Sequence, residues 1–254
     1  MQEMEKIAEI LNQFDPISLE GLINAKLMNR VDSKFIFHLS DLPGILTELN
    51  KDYHILEVNG MRVAKYENLY FDTEDHRFYL DHHNNKNHRF KVRIRKYGNT
   101  LTTYFEIKER WKNRMIKQRI QIDELRETLN HDELQLINET LEISAPLHAV
   151  LLNSYQRITL VSESLKERFT LDYALTFKQG EDEKHIDNVV IAELKQEGLN
   201  RQSPAFQLMN QKKIRSFRIS KYCIGTVLLF PKEKVKYNSF KFIIQKLNTF
   251  KNAV

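Results

Sequence analysis

The sequence predicts an α+β fold in which an antiparallel β-sheet closes into a barrel and helices pack around its outside. Three observations carry this reading. Extended segments rich in Phe, Tyr, Ile, Val and Thr recur between residues 33 and 196, successive segments alternate apolar with charged side chains, and helical periodicity marks both ends of the chain. A length of 254 residues suits one domain with a sizeable core. With 41% hydrophobic and 29% charged residues, 15 Phe and 10 Tyr, the composition is that of an ordered protein.

Residues 3–13 read as an amphipathic helix with Ile7, Ile10 and Leu11 on one stripe. Strands are predicted over 33–39, 53–58, 62–72, 88–97, 101–110, 114–122, 155–163, 167–177 and 187–196. Asp41-Leu42-Pro43 opens a helix to about Leu49, with Asp41 as cap and Pro43 in the first turn. His82, His83 and His88 flank Asn84, Asn85 and Lys86, which predicts a polar turn between strands. As a metal set they are weak, because Asp81 is the only carboxylate beside them. Trp111 marks a strand end. Glu124 to Glu142 reads as a helical insertion carrying Leu125, Leu129, Leu134, Ile137 and Leu141, and Lys178 to Asp187 as a polar hairpin. Ser203-Pro204 starts another helix, and Phe240, Ile243, Ile244 and Leu247 give a terminal amphipathic one. No repeat, low-complexity tract or dividing linker interrupts the chain, so residues 1–254 are expected to form a single domain.

Several function classes are excluded. The 7 Gly and 5 Pro are scarce, and neither Gly-x4-Gly-Lys-Ser/Thr nor Gly-x-Gly-x2-Gly occurs, so P-loop and dinucleotide folds fail. A lone Cys223 excludes an intrachain disulfide framework and a cysteine zinc site, and is expected to be buried. The longest apolar run, Tyr222 to Phe230, is shorter than the roughly 20 residues that cross a bilayer. Met-Gln-Glu-Met-Glu-Lys has no secretory character, so the expected location is cytoplasmic. The net charge of +5 is small for the length, so the placement of the charges matters more than their sum.

Side chains alternate across a strand, so residues of one parity share a face. Lys91, Arg93 and Arg95 alternate with Phe90, Val92 and Ile94, and Glu106, Lys108 and Arg110 alternate with Phe105 and Ile107. Lys117 and Arg119 alternate with Ile116 and Ile120, while Tyr155, Arg157 and Thr159 share a face, as do Arg168, Thr170 and Asp172. Glu193 and Lys195 end an apolar run, and Lys34 lies on the polar parity of the first strand. A solvated sheet face is the alternative for any one of these strands. Taken together, the nine cations Lys34, Arg93, Arg95, Lys108, Lys117, Arg119, Arg157, Arg168 and Lys195 oppose only Glu106, Asp172 and Glu193. Like charges across strands destabilise a sheet, so such a face is expected to repel itself until a polyanion bridges it. Closure into a barrel turns it into a lumen where Arg forks and Lys point charges converge on phosphate oxygens.

Lys91-Val92-Arg93-Ile94-Arg95-Lys96-Tyr97, Phe105-Glu106-Ile107-Lys108, Tyr155-Gln156-Arg157, Leu171-Asp172-Tyr173, Ala192-Glu193-Leu194-Lys195 and Ser220-Lys221-Tyr222 occur in the order seen in the VTC domain. The sequence therefore resembles that polyphosphate-polymerase domain of the vacuolar transporter chaperone family, a branch of the CYTH-like triphosphate tunnel metalloenzymes, over a core of about residues 29–227. The resemblance implies a tunnel of eight antiparallel strands that binds ATP, triphosphate and polyphosphate with Mn²⁺ or Mg²⁺ and passes the ATP γ-phosphate to a growing chain. Carried over by motif, Arg93, Arg95, Lys108, Lys221 and Glu193 form the catalytic set, with Glu193 also holding the metal. Lys34, Lys117, Arg119, Tyr155, Arg157, Arg168, Lys195 and Ser220 bind phosphate.

Asp32-Ser33-Lys34 stands where the cyclase and thiamine triphosphatase branch has Glu-x-Glu-x-Lys, which disfavours those activities. The regulatory domain and membrane segments of the fungal subunits are not found, so a separate membrane protein partner and a position at the inner face of a membrane are expected. Two other readings stay open. One is an inorganic triphosphatase in which Glu106 orients water, unless Glu106 only pairs with Arg93 or Lys108. The other is a non-catalytic polyphosphate or nucleotide sensor or a nucleic-acid-binding barrel; no specific nucleic acid is expected, because polyphosphate should outcompete oligonucleotides.

Overall fold

The alternating segments do form strands, and the computed structural model shows how they join. It describes residues 2–24, 31–112, 114–141, 143, 145–231 and 233–251. The order is α1 (Gln2–Leu11), β1 (Pro16–Ile17), α2 (Leu19–Asn24), β2 (Val31–His38), α3 (Leu42–Leu49), β3 (His54–Leu56), β4 (Val63–Asp72), α4 (Arg77–His83), β5 (His88–Tyr97), β6 (Thr102–Trp111), β7 (Arg114–Ile122) and α5 (His131–Thr140). It continues with β8 (His148–Ser162), β9 (Glu167–Gln179), β10 (Asp182–Ile186), β11 (Val189–Gln196), α6 (Pro204–Gln211), α7 (Lys221–Leu229) and α8 (Lys241–Lys251).

Eight of the strands lie in the order β2-β11-β9-β8-β4-β5-β6-β7, each antiparallel to its neighbours. The α+β antiparallel sheet is as expected, but its closure into a barrel is not found: among the described residues the path ends at β2 and β7 with no hydrogen-bonded ladder between them. The outer edge of β2 is instead covered by the segment before α7, where Phe35 bridges Ser216 and Phe217 N–H donates to the Lys34 carbonyl at 2.8 Å. β7 is the exposed edge. In its first half Met115 and Ile116 stand open to solvent, and Ile116 lies on the apolar parity predicted for it but is not packed there.

The apolar parity packs under helices on the convex face. Phe35, Phe37, Ile158, Leu160, Phe169, Leu171, Val190 and Leu194 meet α1, α3 and α6 in one cluster, and Leu69, Phe71, Val92, Ile94, Phe105 and Ile107 meet Ile137 of α5 in another. Burial of each such side chain stabilises the fold by about 1.5–3 kcal/mol. A third cluster lies at one end of the concave face, where Ile36, Tyr70, Leu151 and Ile191 pack on Tyr222, Cys223 and Ile224 of α7. Cys223 is fully buried there, as expected.

Local differences from the predicted elements have identifiable causes. The insertion is helical only over α5, because Asn130 and Glu133 form a reciprocal capping box that sets its start. His82 and His83 sit in the last turn of α4 rather than in a turn. The signal is remote, since the Asp72 carboxylate at the end of β4 accepts from the Phe78 and Tyr79 N–H groups and starts that helix. The run Tyr222–Phe230 lies largely in α7, capped by the Ser220 hydroxyl. Asp41 precedes α3 without a side-chain cap bond. Residues 29 and 142, at the edges of the predicted core and insertion, lie outside the described residues. Among the described residues no helix is long and apolar enough to cross a membrane.

Candidate functional site on the concave face

Strand register brings the predicted charges onto one face. Lys34 lies opposite Glu193, Lys195 opposite Arg168, Arg157 opposite Asp172, Arg93 opposite Glu106 and then Arg119, and Lys91 opposite Lys108 and then Lys117. Arg95 lies beside Asn68 of β4, and Tyr155 beside Tyr66. The start of α7 crosses this face. The Ser220 hydroxyl accepts from Lys91 Nζ on β5 at 3.0 Å, and Lys221 pairs with Asp172 on β9. Adjacent residues at the start of α7 thus tie β5 to β9 across the two strands between them. All thirteen predicted residues therefore lie on this face or meet it at the N-terminus of α7.

The expected self-repulsion needs correction. Each of the three acids lies between two cations. Glu106 accepts from Arg93 Nε at 2.9 Å and Nη2 at 2.6 Å, and also pairs with Lys117. Asp172 takes the Arg157 fork at 2.5 and 2.7 Å together with Lys221. Glu193 pairs with Lys34 at 3.2 Å and with Lys195. Cations remain beyond these triads. Arg95 donates to Asn68 Oδ1 at 2.6 Å and to the Tyr155 hydroxyl at 3.4 Å, and Arg119 lies 4.6 Å over the Tyr104 ring. Among the described residues no hydrogen bond or ion pair closes on Lys108.

Titration follows this layout. Burial pushes the Glu106 carboxyl up, but Arg93, Arg95 and Lys117 outweigh it and hold the group well below the usual range. Burial acts likewise on Asp172 and Glu193 and is likewise overcome, by Arg157 with Lys221 and by Lys195 with Lys34. Lys91 is pushed down to about 8, first by burial and then by the charges of Lys34, Arg93 and Arg89. Lys108 lies well below its ordinary value, chiefly because of Arg93 and then because of burial. Burial raises the Tyr155 phenol, yet Arg157 and Arg95 bring it below the ordinary value. These shifts mark a strongly positive potential.

Beside the thirteen and their acid partners, this face also carries Lys91, Tyr66, Asn68, Tyr70 and Tyr104. Lys91 carried the parity signal, whereas β4 hid its inward side because its polar positions are Asn and Tyr. Tyr66 stacks on Tyr155 with centroids 5.4 Å apart and carries Arg157 at 4.6 Å and Arg95 at 5.5 Å. Both guanidinium groups thus lie within cation–π range of one ring. For a metal, Asp32, Glu106, Asp172 and Glu193 are carboxylates of this face, each already beside a cation; among the described residues no group of three or more His, Cys, Asp or Glu comes together.

Solved structures resemble this one distantly. A candidate adenylate cyclase from Vibrio parahaemolyticus is 11% identical at a TM-score of 0.46, covering 78% of this chain and 97% of its own. The PH1819 protein from Pyrococcus horikoshii is 13% identical at 0.42, covering 78% and 98%. HpAC1 from Hippeastrum, described by a dominant triphosphatase activity, is 13% identical at 0.44, covering 80% and 98%. No curated protein matches the chain. The model of the VTC domain matches residues 29–230, the stretch that builds the curled sheet and carries its cations through to α7, and the chain therefore belongs to the VTC domain family.

Proposed function

We propose that the concave face binds triphosphate and polyphosphate and transfers the γ-phosphoryl group of ATP to a polyphosphate chain. The observation that carries this reading is the set of Arg95, Lys108 and Lys91, cations held on the face with neutral partners or none after each acid has taken two others. A polyanion supplies the missing charge. Arg93, Arg157 and Lys221 adjoin this set and complete the cradle, while Lys34, Lys117, Arg119, Arg168 and Lys195 extend it toward the sheet edges.

In this reading a terminal phosphate oxygen of the acceptor chain attacks the γ-phosphorus. The bond from that phosphorus to the βγ-bridging oxygen breaks, and ADP leaves with the electron pair. The acceptor oxygen is already ionised, so positioning and charge neutralisation do the chemistry. Glu106 favours a phosphate acceptor over water, because its two oxygens are taken by Arg93 and Lys117 and it is a poor base. A divalent ion fits the donor chemistry, since Glu193 is an ionised oxygen ligand and Mg²⁺ or Mn²⁺ sites take one carboxylate plus substrate phosphates. When bound, the ion neutralises phosphoryl oxygens. Glu193 would hold it in exchange for its Lys34 and Lys195 contacts.

The test incubates the pure protein with ATP and Mn²⁺ and follows polymer on a gel beside free phosphate. Long polymer is the expected result. Free phosphate without polymer would make it a triphosphatase, and neither product would reduce it to a binding module.

A further inference from the structure

The β6–β7 hairpin ends beside the cationic positions of the concave face, and its tip carries exposed apolar side chains among cations. Register pairs Trp111 with Arg114 and Arg110 with Met115, and Lys112 makes the turn at φ 53° with its carbonyl accepting from Arg110 Nε at 3.2 Å. Trp111 is 47% exposed, Met115 57% and Ile116 46%. By strand parity Trp111 and Ile116 lie on one face and Met115 on the other, so the tip is apolar on both sides. From Arg110 to Ile116 the chain carries Arg110, Lys112 and Arg114 and no acid. Glu109, just before it, is taken by His88 at 2.9 Å, and the His88 ring meets Trp111 edge-on at 4.3 Å.

We propose that this tip docks on an anionic lipid surface. A protein partner needs one apolar face against it. A tip apolar on both faces and ringed by cations suits a medium that surrounds it, with Trp at the headgroup level and the Lys and Arg heads reaching lipid phosphates. Arg89 and Arg110, and then Lys91 and Lys108, follow in register behind the tip, so docking turns the cationic end of the concave face toward the bilayer. The inference is independent of which reaction that face carries.

Trp111 is the only tryptophan of the chain, so its fluorescence reports on the tip directly. The experiment titrates the full-length protein with phosphatidylcholine vesicles and with phosphatidylcholine–phosphatidylglycerol vesicles, with and without brominated acyl chains, at matched ionic strength. A blue shift and bromine quenching are expected with the anionic vesicles and not with the neutral ones. Lys112→Gln with Arg114→Gln should lower the partition coefficient by about tenfold or more while keeping the reporter, and Met115→Ser with Ile116→Ser should abolish quenching. Four results overturn the proposal: no shift with anionic vesicles, equal binding to neutral ones, loss of binding when tripolyphosphate fills the concave face, or a shift that needs only higher protein concentration. The last two would assign the contact to the concave face or to a second copy of this chain.

Discussion

Raising the pH should weaken triphosphate binding through Lys91 while strengthening the empty fold. With Lys91 at about 8 in the free protein against an ordinary 10.5, only about a tenth of free molecules carry this charge at about pH 9, whereas bound phosphate restores it almost fully. Affinity should therefore fall about tenfold between about pH 7 and pH 9, with about 0.9 proton taken up per triphosphate at the upper value. Triphosphate has two terminal phosphates and the second ionises against the charge of the first, within this range, so the ligand's own titration is measured separately and subtracted. Lys108 is shifted in the same direction and adds to the loss. Calorimetry in two buffers of different ionisation heat reads both affinity and proton uptake. Lys91→Arg, always charged, should remove the tenfold component, and adding Lys108→Arg should flatten the profile. An unchanged fall in affinity with Lys91→Arg refutes the coupling.

Stability must move in the opposite direction. A lysine depressed in the folded state binds fewer protons there than in the unfolded chain, so the ligand-free protein gains stability as pH rises from about 8 toward about 10. Above about 10 the sign reverses. Buried phenols such as Tyr66 and Tyr173, the latter pushed up to about 12, keep protons that the unfolded chain has lost.

Three further perturbations separate structural charges from binding charges. Arg93→Ala leaves the fully buried Glu106 with Lys117 alone and should cost about 3 kcal/mol in chemical denaturation; a neutral effect would remove the triad as a structural unit. Lys108→Gln, by contrast, relieves repulsion from Arg93 and Arg95, so it should raise the ligand-free Tm by about 2 °C while weakening triphosphate binding. A lower Tm would show that the lysine is held by something stabilising. Glu193→Gln should strengthen metal-free triphosphate binding, because Lys34 loses its carboxylate partner, yet abolish turnover at limiting Mn²⁺; full turnover there would take Glu193 out of the site.

What the sequence made legible follows from period and parity. Strict alternation in residues 88–122 predicted three strands within one residue of their ends and the face of each charge, because a one-residue slip would have put Arg93 or Glu106 among Val92 and Ile107. Closure was not legible. Whether β7 joins β2 depends on what covers each edge, and the cover of β2 comes from Ser216 and Phe217, about 180 residues away along the chain. Nor could parity show that Glu106, Asp172 and Glu193 each lie between two cations. Register supplies Arg93 and Lys34 opposite an acid, but Lys221 reaches Asp172 from a helix and Lys195 reaches Glu193 along its own strand. Asn68 and Tyr66 escaped because uncharged side chains leave no mark in a charge pattern.

The triads explain how a cationic face survives without its ligand and still binds one. Were every cation unpaired, mutual repulsion in a low-dielectric groove would open the sheet along β7, its least protected edge. Were every cation paired, a phosphate chain would have to break ion pairs to bind and would gain little. The observed division avoids both extremes. Pairs hold Arg93, Arg157 and Lys34 in place, Tyr66 and Asn68 orient Arg95 without neutralising it, and Lys91 and Lys108 give up part of their charge until a polyanion restores it. Proton uptake on binding is thus the signature of this division, and a face that bound triphosphate with no proton uptake at about pH 9 would be organised on some other principle.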